Sequence, residues 1–164
     1  MIDFTKYDKL FNELFPLNRS ITGPGIRNSL RILQKYLPLE IKSIKTGTRV
    51  FDWTVPKEWH VNNAYIILPN GEKICEFEKS NLHLVNFSIP VNKKVSFDEL
   101  LNHLHYNTDL PDAVPYVTSY YKENWGFCIS YNQLLKLPKK GLYKVFIDSK
   151  HISGYLNYGE VFIS

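Results

Sequence analysis

At 164 residues and 19.2 kDa the chain has room for one well-packed domain, or for a small domain plus part of another, and not for two complete large ones. Its 44% hydrophobic content, with 11 Tyr, 10 Phe and 3 Trp, excludes a disordered polypeptide, because that much apolar area offsets the entropy of ordering the chain. The net charge of +4 is spread over scattered Lys and Arg, without a basic block or a nucleic-acid fingerprint, and no apolar run approaches the roughly 20 residues of a membrane span.

The opening residues, Met1 to Asp8, lack the apolar core of a signal peptide, so a cytoplasmic protein with neither a membrane nor a nucleic-acid partner is expected. In a reducing compartment Cys75 and Cys128 read as buried free thiols.

In chain order, Tyr7, Leu10, Phe11, Leu14 and Phe15 recur at helical spacing and predict a helix that Pro16 ends. Pro24 is placed to open a second helix, whose stripe of Ile26, Leu30, Leu33 and Leu37 runs to Pro38. Glu40 to Ser43 reads as a strand. From Gly47 the sequence turns β-rich, with strands expected over 50–55, 64–68 and 73–77, the last two joined by the turn Pro69-Asn70-Gly71-Glu72, and the pattern continues over 82–89. Ser96 and Glu99 match a capping box and predict a helix ending near Tyr106. Pro111 and Pro115 make 107–115 an irregular loop, and further strands are expected over 116–121, 126–130, 141–148 and 160–163.

Leu14-Phe15-Pro16 with Arg19-Ser20-Ile21-Thr22-Gly23, then Phe51-Asp52-Trp53-Thr54-Val55-Pro56-Lys57-Glu58-Trp59, resemble a bacterial aminopeptidase-like family of uncharacterised function. The blocks Pro111 to Tyr121, Trp125-Gly126-Phe127-Cys128 and Tyr158-Gly159-Glu160 follow in the same order, so the resemblance covers nearly the whole chain. It implies an α/β fold: the N-terminal part of a zinc-exopeptidase-like α/β/α core with an inserted β-rich domain. Residues 1–48 would begin the core, 49–157 would form the insertion, and 158–164 would be a strand returning to the core. Full-length members carry a C-terminal winged helix, and several are linked to polysaccharide biosynthesis. The resemblance also implies zinc in the full-length parent, whose first metal-binding His and Asp follow beyond Ser164. No metal ligand is carried onto this chain, none of its residues is assigned a catalytic role, and it is expected to bind no metal and to be inactive alone, as a truncated product or a trimmed domain.

The residues themselves offer binding groups, each with a plainer alternative. Arg19, Ser20 and Thr22 combine a guanidinium and two hydroxyls near a helix N-terminus, which suits a carboxylate or phosphate; alternatively the hydroxyls cap the second helix and Arg19 pairs with a local acid. Trp53 either walls a cleft or clamps the insertion against the core. Tyr116, Tyr120 and Trp125 follow a two-proline loop, and their rings either stack on sugar or peptide or pair across strands for stability alone. His103 and His105, placed on the helix after Ser96, would point to opposite faces and so could not share one ion. The expected substrate is a peptide or a small amide-bearing molecule, a homo-oligomer is compatible with the sequence, and the competing reading is a non-catalytic β-rich module that binds glycan or protein.

Overall fold

The computed structural model describes residues 4–120 and 122–163. In chain order the elements are α1 (Phe4–Leu14), α2 (Pro24–Leu33), β1 (Glu40–Lys45), β2 (Arg49–Val50), β3 (Trp53–Thr54), β4 (Glu58–Ile67), β5 (Lys73–Ile74), β6 (Val91–Val95), α3 (Phe97–Leu101), β7 (Leu104–His105), β8 (Phe127–Cys128), α4 (Tyr131–Leu134), β9 (Tyr143–Ile152) and β10 (Tyr155–Glu160). A 3-10 turn spans Asn81–His83. The chain divides into two compact units, Met1–His60 with His151–Ser164, and Val61–Lys150. Among the described residues no helix is long and apolar enough to cross a membrane.

In the first unit, α1 packs on α2 and β1 pairs antiparallel with β10, Ser43 opposite Asn157 and Ile41 opposite Gly159. Strand alternation therefore sets Ile41, Ser43, Tyr155 and Asn157 on one face of this two-stranded ribbon. On the other, Lys42 Nζ lies 2.5 Å from Glu160 Oε2. Gly23 opens α2 with φ +104, and a Cβ there would meet the Trp59 carbonyl at 2.6 Å, so both the backbone conformation and the close approach call for glycine. The strand expected over 50–55 is instead the tight β2–β3 hairpin, Val50 opposite Trp53, with Phe51 at its tip at φ 56 and 94% exposed. Of the stripe expected on α1, Leu10 and Leu14 are half-buried, while Tyr7, Phe11 and Phe15 are exposed.

The second unit is built on a four-stranded sheet of order β5-β4-β9-β6. Period-two alternation decides its inner face: Ala64 and Ile66 on one strand, with Leu68 just past its end, and Tyr143, Val145 and Ile147 on its neighbour, are buried together with Val85, Val95, Leu100, Phe127 and Ile129. On the outer face Tyr65 stacks on Phe146 at 5.0 Å. The turn at 69–72 forms as expected, but its returning strand is only Lys73–Ile74. The segment 82–89, expected to continue the strand pattern, is an irregular run with isolated bridges, bent by Phe87 at φ 67.

Two helical expectations are corrected. The second helix closes at Leu33, its last turn continuing to Tyr36 as single turns. Half of the capping box forms, Ser96 Oγ accepting from Glu99 N–H at 3.2 Å while the Glu99 carboxylate pairs with Lys93 at 2.7 Å, and α3 ends at Leu101. Beyond it the backbone leaves the helix to pair parallel with β8, so the His103 and His105 carbonyls accept from the Phe127 and Ile129 N–H groups at 2.8 and 3.0 Å. The segment expected as a strand over 116–120 makes a single bridge, Thr118 to Asn86, and Tyr121 lies outside the described residues. The strand expected over 160–163 is displaced toward the N-terminus: β10 ends at Glu160.

Candidate functional site

Within the first unit an open cleft of about 560 Å³ lies between α2 and the β1–β10 ribbon, lined by Arg27, Arg31, Ser43, Glu58, Tyr155 and Asn157, with Gln34, Ile41 and Gly154 at its margins. Arg27 and Arg31 stand at i and i+4 on α2 and Gln34, its C-cap, continues the stripe at i+7, so all three line the cleft. The ribbon supplies the opposite wall through Ser43, Asn157 and Tyr155.

A part-buried ion pair, its carboxylate buried and its guanidinium partly exposed, lines the cleft. Arg27 Nη1 and Nη2 donate to the two oxygens of Glu58 at 2.5 and 2.9 Å, a forked geometry that fixes both side chains. Glu58, only 4% exposed, also accepts from the Tyr155 N–H at 2.8 Å and from His60 Nε2 at 2.9 Å. Burial pushes this carboxyl up, but hydrogen bonds from Arg27, the Tyr155 backbone and His60 outweigh that effect and hold it at about 2. A Cβ at Gly154 would run into the Glu58 carboxylate, so the absent side chain is what lets the backbone close over it. Arg27 Nη1 also reaches Asn157 Oδ1 at 3.4 Å, and Asn157 Nδ2 donates to Ser43 Oγ at 2.7 Å. Arg31 is exposed in the same cleft, and among the described residues no carboxylate pairs with it.

The binding groups expected from sequence do not converge on this cleft. Arg19 donates to the Leu14 carbonyl at 2.5 Å, closing the end of α1, and among the described residues no acid pairs with it. Ser20 and Thr22 are buried; Thr22 Oγ1 donates to the Lys57 carbonyl at 3.0 Å, Ser20 Oγ has no partner among the described residues, and α2 receives no side-chain cap. Trp53 sits half-buried in the β2–β3 hairpin. In the second unit Tyr116 is 60% exposed, Tyr120 is half-buried with its ring 5.7 Å from Phe87, and Trp125 is 6% exposed. The Trp125 ring stacks on His103 at 3.6 Å, and its carbonyl accepts from His103 Nδ1 at 2.9 Å, so it is committed to packing. Arg27, Arg31, Glu58, Tyr155 and Asn157 were not anticipated. The i, i+4 arginines were the one signal present in the sequence.

The donor sets of the described residues do not fit a zinc ion. Among the described residues no three His, Cys, Asp or Glu side chains gather as ligands. His103 is the turn residue that closes α3 and His105 lies in β7, so the two do not share a helix, and among the described residues no third donor joins them. His60 and His83 donate to Glu58 and to the Cys128 carbonyl. Cys75 and Cys128 are buried and free, and burial pushes their thiols up to about 12 and about 11, far from the thiolate a metal requires.

Residues 58–150 match the family model described as a domain of unknown function, DUF2172. A Clostridium acetobutylicum protein named "Putative polysaccharide biosynthesis protein with aminopeptidase-like domain" is 49% identical over 154 residues, covering 94% of this chain and 35% of its own length. A crystal structure described as a "putative peptidase" from Clostridium acetobutylicum superposes with a TM-score of 0.88 at 47% identity, over 94% of this chain and 36% of that one. The chain thus spans about a third of the length of both.

Proposed function

Because the chain belongs to the DUF2172 family through residues 58–150, we propose that it forms the N-terminal, non-catalytic portion of an aminopeptidase-like hydrolase that cleaves peptides or small amide-bearing substrates. The observation that carries this reading is the 49% identity, sustained over nearly the whole chain, to a protein named for an aminopeptidase-like domain. In the complete protein a zinc ion, held by residues outside this chain, would polarise the amide carbonyl and activate water. This chain would supply rigid walls, its part-buried Arg27–Glu58 pair fixing α2 against the ribbon. A role in polysaccharide biosynthesis in the cytoplasm agrees with the relative's name and with two free, buried cysteines.

The test is zinc analysis of the longest open reading frame that contains this chain, with hydrolysis assays on amino-acid amides and aminoacyl sugars. Stoichiometric zinc with chelator-sensitive hydrolysis is the expected result, and the 164-residue chain assayed alone should show neither. A metal-free, inactive long protein refutes the reading.

A further inference from the structure

We propose that the cleft between α2 and the β1–β10 ribbon binds the carboxylate of a small polar molecule, with Arg31 as the cation that holds it. Arg27 already shows how this surface handles a carboxylate, since its guanidinium grips both oxygens of Glu58. That pair is internally neutral, so the cleft retains the positive charge of Arg31, which has no carboxylate partner among the described residues. A monoanion matches this charge, whereas a phosphate dianion would be left half compensated. Hydrogen-bonding groups stand opposite: Ser43 Oγ accepts from Asn157, which leaves the hydroxyl proton free to donate outward. Tyr155, half-exposed and on the same ribbon face as Ser43 and Asn157, lines the cleft and adds an aromatic side chain to the groups that can meet the body of the ligand. The volume of about 560 Å³ falls within the roughly 300–1,000 Å³ of small-molecule sites. The carboxylate could belong to a sugar acid or to the end of a short peptide, and the cleft's ligand chemistry is independent of any hydrolytic activity elsewhere in a longer protein.

Backbone NMR shifts of the 15N-labelled chain, titrated with glucuronate and with N-acetylglycylglycine, test the site, with glucose and N-acetylglycylglycinamide as neutral counterparts and inorganic phosphate as the competing anion. At least one carboxylate is expected to move the amides of Arg31, Ser43 and Asn157 while its neutral counterpart does not, and which of the two does so identifies the source. Arg31→Ala should weaken binding at least about tenfold, as loss of a charged hydrogen-bonding partner does, and Arg31→Lys should restore part of it. Arg31→Gln, which keeps the stem and removes the charge, gives the same readout should the alanine variant fold poorly. The proposal is overturned if neither carboxylate binds, if phosphate binds more tightly than both, or if the charge-removing variants bind as the parent does.

Discussion

Arg27 on α2 and Glu58 at the start of β4 share two hydrogen bonds, at 2.5 and 2.9 Å, and His60 and the Tyr155 N–H complete the carboxylate's shell. One buried charge thereby ties together a helix and two strands. Taking that charge from water is unfavourable unless every lone pair is answered, and here each oxygen has at least two donors.

Removing the charge should expose how much depends on it. Glu58→Gln is expected to lower stability by about 3 kcal/mol, because the Arg27 guanidinium is left without its counter-charge. The wild-type carboxyl lies at about 2, below its ordinary 4.5, so its contribution is complete above the ordinary value and is lost as pH falls from there through 2. Urea unfolding measured from pH 7 down to pH 2 should show this acid-limb decline in the parent and a shallower one in the variant. Equal declines would mean that another group governs the acid limb.

Gly154→Ala is expected to destabilise the protein by about 1–3 kcal/mol, since the added methyl meets the Glu58 carboxylate and the ion pair beneath must shift. Gly47→Ala makes the comparison, because φ +86 strains any side chain there but nothing lies within 4 Å. Its cost should be about 1 kcal/mol, from backbone strain alone. Thermal unfolding of the two variants ranks them, and a larger loss at Gly47 would contradict the crowding at Glu58.

Both thiols are buried and held protonated, Cys75 at about 12 and Cys128 at about 11. A colorimetric disulfide reagent at pH 8 should therefore leave the native protein untouched over minutes and titrate both cysteines once guanidinium is added. Rapid native labelling would show that one of the two is reached by solvent.

Trp125→Ala should cost about 3–5 kcal/mol, the range for deleting a buried aromatic, and free the His103 ring it stacks on. Tyr116→Ala, at an exposed position, should stay within about 0.5 kcal/mol of the parent. Chemical denaturation distinguishes them. A glycan-binding role for Trp125 predicts the reverse, a folded variant that has lost sugar affinity.

Local chemistry was legible in the residues themselves. Pro16 follows the end of α1 and Pro24 opens α2, the Ser96 N-cap starts α3, and Pro69 to Glu72 turns the chain, because each signal acts within a few residues. Edge strand β6 was missed: Asn92-Lys93-Lys94 reads as solvated charge, which is how a sheet edge protects itself from further pairing. Strands of two residues, such as β7 and β8, carry no periodicity to read at all.

What the sequence alone decided, then, is where the backbone can helix, turn or extend, since those choices are settled by sterics and hydrogen bonds between near neighbours. Which side chains meet was left to the tertiary fold. Asn157 reaches Ser43 across 114 residues and Arg27 across 130, and only the pairing of β10 with β1 beside α2 places them in one cleft. An arginine, an asparagine and a serine at such separations look like ordinary surface residues until strand pairing brings them within hydrogen-bonding reach, where Asn157 is buried and exchanges its water for Ser43 and Arg27.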